Sequence, residues 1–486
     1  MSNEITNLQP KEVWKNFYEL TQISRPSKHE GKVREFIVAF GNKLGLDTTV
    51  DEIGNVIIRK KATSGMENRH GVILQAHLDM VPQKNEDTVH DFEKDPLEPY
   101  VDGEWIKAKG TTLGADNGIG VAAAMAVLEL DTIRHGPVEA LFTIDEETGM
   151  TGAFGLKAGL LIGDILLNMD SEDEGELYIG CAGGTNANAL FNYQEIPVPA
   201  GMNAFKLTVK GLKGGHSGLD IPLGRGNSNK ILNRLMWVSE RLYGLRLANI
   251  DGGSLRNAIP RESFALVVVP EKNKQVFLKG LEEFTHIVRK ELLSVEPDVK
   301  ILADPADMPS SLIDEKTQHT LFNAIYACPN GVIRMSNEMP GLVETSTNLA
   351  IVKSANGEIN VKSLLRSSVD SAKSDLEQMI RSVFELAGAS ITFDGQYQGW
   401  KPNPESRILK AMQDVYKKKF GRVPEIKAIH AGLECGILGG VYPDWDMISF
   451  GPTIRFPHSP DEKVNIPSVS KFWDFLVETL KDIPTK

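Results

Sequence analysis

Val72-Ile73-Leu74-Gln75-Ala76-His77-Leu78-Asp79 is an apolar run that ends in a histidine, one spacer and a carboxylate. Such a run reads as a buried strand. In a parallel sheet the last residues of a strand stand at its carboxyl edge, where open α/β folds place their sites. The fold then turns on whether other strands bring matching residues to that edge.

They do. Val138–Thr143 is a second apolar run and stops at Asp145-Glu146-Glu147. Asp164–Asp170 is a third and ends in a carboxylate. The Gly-rich stretch 110–120 leads into a helix over Val121–Leu130 and offers Asp116. Far along the chain, the strand Asp446–Phe450 runs into a loop holding His458. Helices are expected at Lys11–Thr21 and Glu30–Leu44, with a hairpin over Thr48–Asp51 and Asn55–Arg59. Strands alternating with helices indicate α/β architecture: a mixed, mostly parallel sheet flanked by helices.

After about Asn186 the pattern changes to half-exposed strands and long amphipathic helices. One group comprises Ala204–Lys210, Asn227–Leu242, Ser263–Val269 and Lys274–Leu293. A similar order recurs as Ile313–Ala327, strands near Thr347–Val352 and Glu358–Leu365, Ser371–Leu386 and Ser390–Phe393. This reads as an inserted α+β domain of two similar halves. Helix Ser406–Phe420, strands Glu425–Ile429 and Asp446–Phe450, and helix Ser468–Leu480 return to α/β. The expected division is 1–186 and 400–486 for the first domain and 187–399 for the insertion.

The 486 residues allow more than one domain, and 41% hydrophobic with 24% charged residues suits a globular chain. A formal net charge of -12 argues against nucleic acid and against an anionic membrane surface as partner. No apolar run approaches a membrane span, and no secretory leader is evident, so a cytoplasmic protein is expected. Cys181, Cys328 and Cys435 are too scattered for a disulfide framework or a CxxC zinc site.

Two histidines and several carboxylates on one edge repel unless protonated or neutralised. A divalent cation neutralises them, and mixed imidazole and carboxylate ligands suit zinc, cobalt or manganese. Five candidate ligands exceed one tetrahedral catalytic zinc and fit two metals sharing a carboxylate, the arrangement of two-metal hydrolases. Taken singly, each residue has a plainer role: Asp116 as a helix cap, Glu146-Glu147 as a solvated pair, His458 as a loop residue.

HLDMV, GADNGIG, DEETGMTGA, NMDSEDEGE and FGPTIRFPHSPDE resemble the five metal motifs of the co-catalytic zinc aminoacylase and carboxypeptidase superfamily. CAGG, KGLKGGHSG, GGSLRNAIPRE and HAGLECG are similar to its dipeptidase branch, over essentially the whole chain. The resemblance implies two divalent ions per chain, zinc by preference, with cobalt or manganese able to substitute. It makes Asp116 the bridging ligand, His77 and Asp170 the rest of one site, and Glu147 and His458 the rest of the other. It makes Glu146 the general base that takes a proton from the water held between the metals to give the attacking hydroxide, and Asp79 the residue that aims His77. It also implies a cis Asp116–Asn117 peptide.

In the inserted domain, the resemblance makes His216 an oxyanion donor and Asn257 and Arg366 dipeptide-binding residues, with Gly432 a backbone contact on the first domain. An arginine suits a free carboxylate. Relatives with a single small lid borrow this histidine from a dimer partner; here the larger insertion is expected to supply it in the same chain and to open and close. A homodimer is left open. The activity implied is hydrolysis of dipeptides of broad specificity, Xaa-His included. The alternative on the same scaffold is an N-acyl amino acid deacylase or desuccinylase. A structural zinc site would need no spare carboxylates such as Glu146 and Asp79.

Overall fold

The computed structural model describes residues 2–486. The chain forms two compact units. The first runs through Gly180 and resumes over Pro402–Ala428 and Leu433–Lys486; the second comprises Cys181–Lys401 and Ile429–Gly432. The breaks therefore fall at 180/181 and 401/402, against 186/187 and 399/400 expected from sequence. Gly432, expected on the first domain, is grouped with the second unit. The reason is local: the Ala182 N–H donates to the carbonyls of Ile429 and Ala431, which ties that short segment to the start of the second unit.

The first unit is built on an eight-stranded sheet. Its centre is four parallel strands, Val138–Thr143, Val72–His77, Ile165–Asn168 and Asp446–Ser449, side by side. The hairpin Asp47–Val50 with Val56–Lys60 extends one side antiparallel, and Glu176–Cys181 pairs antiparallel on the other. All six residues of Val72–His77 are buried. Burying side chains such as Ile73 and Leu74 contributes about 1.5–3 kcal/mol each. The alternating pattern of a one-sided sheet is missing because both faces are covered.

The helix expected at Val121 begins earlier, at Ala115, and runs to Glu129 with a break from helical geometry at Asp116 and Asn117. The Asp116–Asn117 peptide is cis. Every residue from Asn117 to Leu128 is buried, as expected of a helix apolar all round. A four-stranded sheet with the hairpin Pro99–Asp102 and Trp105–Ala108 stands beyond the elements expected from sequence.

The second unit holds a nine-stranded sheet over one continuous core. Four strands, Met202–Lys210, Arg246–Gly252, Ser263–Pro270 and Lys300–Pro305, with helices Ser228–Tyr243 and Lys274–Leu292, make one βαββαβ half. The other half has the same strand order. Its strands are Gly183–Asn192, Val343–Ala355, Glu358–Ser367 and Ser390–Tyr397, and its helices are Glu315–Ala327 and Asp370–Leu386. The halves join where Asp251 and Gly252 pair with Lys353 and Val352. The halves are not consecutive. The first strand of the second half precedes the whole first half, so one half is inserted into the other. Sequence reading missed that strand because GGTNANALFN is poor in the β-branched and aromatic residues that mark strands.

Candidate metal centre

The ends of the central strands converge as expected. His77 closes its strand and is 1% exposed. Its Nε2 lies 3.1 Å from Asp116 Oδ1 and 3.2 Å from Asp170 Oδ1. Nε2 of His458 lies 3.2 Å from Asp116 Oδ2 and 3.0 Å from Glu147 Oε2. The two oxygens of Asp116 thus face two different histidines. His77, Asp116 and Asp170 form one group able to hold a cation, and Asp116, Glu147 and His458 form another. A third grouping joins His77 with Glu146 and Glu147, which sets Glu146 at the same place.

The donor set fits two cations. Glu147 Oε1 is buried with no hydrogen-bond partner. Burial and the charges of Asp116 and Glu147, against the pull of His77, lift Asp170 to about 7. Burial, Asp170, Glu434 and Glu147 hold the Glu146 proton well above the carboxylate range, although His77 opposes this. Hydrogen bonds to Asp116 and Glu147 raise His458 to about 11. Carboxylates this crowded, facing imidazoles, are stabilised by positive charge.

Asp79 touches the site from behind. It is fully buried, and its Oδ1 lies 3.3 Å from His77 Nδ1. Its two oxygens accept the backbone N–H groups of Glu146 and Glu147 at 3.0 and 3.2 Å, and Ser27 Oγ donates at 2.8 Å. Burial works to raise this carboxyl, but the bonds to His77 and to Glu146 outweigh it and leave it near 2. Asp79 thus orients the His77 ring and also fixes the turn carrying Glu146 and Glu147.

Three positioning residues escaped sequence reading. Glu462 accepts the N–H groups of Leu113, Gly114, Ala115 and Asp116 at 2.7–3.3 Å. Arg25, 1% exposed, holds the other side of the same turn through the Gly114 carbonyl, and donates to the carbonyls of Leu78 and Asp79 at 3.0 Å. Gly114 has φ +66°, and a Cβ there would lie 2.5 Å from the Arg25 guanidinium, so glycine is required. Glu434 is fully buried; its Oε2 accepts from Gln75 at 2.5 Å and Thr143 at 2.9 Å. The only sequence signals were that Glu462 and Glu434 lie inside the PHSPDE and HAGLECG motifs.

Within the second unit, His216, Asn257, Arg366 and Gly432 lie in one neighbourhood. The N–H of Ser217 donates to the Asn257 carbonyl at 2.8 Å. Arg366 Nε donates to Ser217 Oγ at 3.4 Å, and Nη1 to Tyr397 Oη at 3.1 Å. A Cβ on Gly218 would run into the carbonyl of His430, two residues from Gly432. Arg366 is only 5% exposed, yet among the described residues no carboxylate pairs with it.

This fold and these paired metal triads define a class, and comparison with known proteins gives the same one: residues 73–482 match the model of peptidase family M20/M25/M40, and the chain belongs to that family. It is 47% identical over 484 residues to the cytosol non-specific dipeptidase of Escherichia coli, covering all of both chains. It is 50% identical to the solved aminoacylhistidine dipeptidase of Vibrio alginolyticus, with a TM-score of 0.96 over the whole of each chain. Aminopeptidase PepT of Bacillus cereus shares the fold at 14% identity and a TM-score of 0.58, over 98% of this chain and 99% of that one. Among the described residues no helix is long and apolar enough to cross a membrane.

Proposed function

We propose that the chain is a two-metal dipeptidase of broad specificity that accepts Xaa-His dipeptides and works in the cytoplasm. The observation that carries the chemistry is the split of Asp116, one oxygen toward His77 and the other toward His458. His77, Asp116 and Asp170 would hold one ion; Asp116, Glu147 and His458 would hold the other. Zinc is the proposed metal, and cobalt or manganese would serve. Such a pair, when bound, lowers the pKa of water and polarises the scissile carbonyl.

The remaining steps belong to side chains. Glu146 adjoins the ligands without being one of the five, and two bound cations would favour the ionised carboxylate that a base needs. It takes a proton from the attacking water and returns it to the leaving amine nitrogen. Asp79 keeps the His77 ring in place through Nδ1. His216 donates to the developing oxyanion. Arg366, buried without an acid, binds the dipeptide's free carboxylate, and Asn257 and Gly432 contribute polar contacts around it.

The test is a panel of dipeptides, tripeptides and N-acyl amino acids, assayed on metal-depleted enzyme after addition of zinc, cobalt or manganese. Dipeptides are expected to be cleaved best, and only with metal. Preference for N-acyl or N-succinyl amino acids would establish the deacylase reading instead.

A further inference from the structure

His458 is the exposed member of the two metal groups. Its side chain is 49% exposed, against 1% for His77, 12% for Asp116 and 5% for Glu147. Its backbone is also held in an unfavourable region: φ is +60° at His458 and +55° at Phe456, with Pro457 between them. Residues with a Cβ rarely adopt this region, and they stay there only where the surroundings impose it. Pro457 fixes its own φ and leaves the turn little freedom to relax.

The strand that follows supplies the hold. Lys463–Asn465 pairs antiparallel with Ile454–Arg455 on one side and with Trp105–Ala108 on the other. Val464 and Ile106, across from each other, are both fully buried, so this strand is a fixed rail. Two consecutive residues at its start serve the metal centre differently. Glu462 accepts the N–H groups of the Asp116 turn. Lys463 instead reaches two aromatic rings: its Nζ lies 4.4 Å from the centroid of Trp105 and 5.6 Å from that of Phe456. An ammonium within about 6 Å of a ring centroid is attracted by the negative face of the ring. Lys107 stands directly across from Lys463 and takes up Asp102 at 2.7 Å. Among the described residues Lys463 makes no ion pair, so the two rings are its partners. Trp105 is set in the sheet opposite Asn465, whereas Phe456 is 58% exposed within the turn. The ammonium thus ties the turn of His458 to the sheet.

We propose that Lys463 is a positioning residue for one of the two divalent cations: by holding the Phe456 ring it keeps the strained turn that aims His458 Nε2 at the ion shared with Asp116 and Glu147. This rests on the two-metal reading. Lys463 touches neither an ion nor a ligand, and its effect passes through the turn alone. Its signature is therefore selective: the loss falls on one ion of the two and requires His458 to be present.

The experiment measures zinc binding to the metal-depleted full chain by competition with a chelating dye. It compares the wild type with Lys463→Met, Lys463→Arg, Phe456→Leu, His458→Ala, and His458→Ala combined with Lys463→Met. Losing one such contact should weaken one zinc ion of the two about two- to fivefold in Lys463→Met and in Phe456→Leu. Lys463→Arg, which keeps a cation over the rings, should bind as the wild type does. In the His458→Ala background Lys463→Met should change nothing further, because the ligand it serves is gone. Four results would each overturn the proposal: wild-type affinity in either Lys463→Met or Phe456→Leu, equal loss at both ions, a loss in Lys463→Arg as large as in Lys463→Met, or the same loss with and without His458. If Lys463→Met does not fold, Phe456→Leu takes its place in each comparison. If the wild type takes up fewer than two zinc ions, the two-metal reading fails by itself. The rate at which diethyl pyrocarbonate modifies His458 in the metal-free chain, followed by mass spectrometry, then decides the inference separately. Lys463→Met should raise that rate, and an unchanged rate would count against the hold on the turn.

Discussion

The strand-end cluster of the first unit and the Arg366 neighbourhood of the second carry opposite, uncompensated charge. Around Asp116, acids outnumber bases: Asp116, Glu146, Glu147 and Asp170 meet only two histidines. Around Arg366, the buried guanidinium pairs with no carboxylate among the described residues, and the acid beside His216, Asp220, is already bonded to Arg225 and to the His216 N–H. A fold built for stability alone would pair these groups locally, because a buried unpaired charge is costly. The proposed function supplies cations to the one and a substrate carboxylate to the other. The supports differ as well. The acidic edge is fixed by backbone donors and buried partners such as Glu462, Arg25 and Asp79. The cationic cluster is held by hydroxyls, those of Ser217, Ser346 and Tyr397, which leave the charge unneutralised.

Removing the proton carrier from the acidic edge should have the largest effect. Glu146→Ala should keep both metals and lower kcat by about 10²–10⁴-fold, the usual contribution of general acid–base catalysis. Metal analysis beside the assay checks this, and a fully active variant would remove Glu146 from the mechanism.

Arg366→Ala tests the opposite region. KM for dipeptides should rise about 10–100-fold as a charged hydrogen-bonding partner is lost, with kcat less affected. An unchanged KM would show that the carboxylate is read elsewhere.

Glu462→Ala probes the supports of the acidic edge. It frees four N–H groups of the Asp116 turn and touches no ligand side chain directly. Metal affinity should fall about 10–100-fold, as for other residues that orient ligands, measured by competition with a chelating dye. Wild-type affinity would mean the turn needs no such anchor.

The smallest effect concerns pH. His430 titrates near 3 when folded and near 6.5 when free. Below about 6.5 the unfolded chain takes up a proton that the folded chain refuses, so stability falls as pH drops toward 3. His430→Asn lacks this proton, and its melting temperature should fall less steeply over the same range. Parallel curves would show that His430 is not held neutral by the fold.

Much of this was legible in sequence. The five proposed ligands stand out in sequence because each ends a strand or opens a turn beside one, and strands are read from apolar runs. Their separate roles were not legible from spacing; those came with the resemblance to a known superfamily. Arg25, Glu462 and Glu434 were invisible for a physical reason. Each bonds to backbone or to residues tens to hundreds of positions away, and such pairings leave no periodic trace. The nested halves of the second unit were hidden likewise, since the displaced strand Gly183–Asn192 is built from small and amide residues. His430 and Ser346, 84 residues apart, become a pair only across the folded second unit.

The account stands or falls on Asp116 serving two metals at once. Metal content of Asp116→Ala, set beside Asp170→Ala and Glu147→Ala after equilibration with zinc, measures this. The two-site arrangement predicts two ions per chain in the wild type, weakened binding of one in each flanking variant, and weakened binding of both in Asp116→Ala. Retention of two tightly held ions by Asp116→Ala, or one ion per wild-type chain, would contradict it.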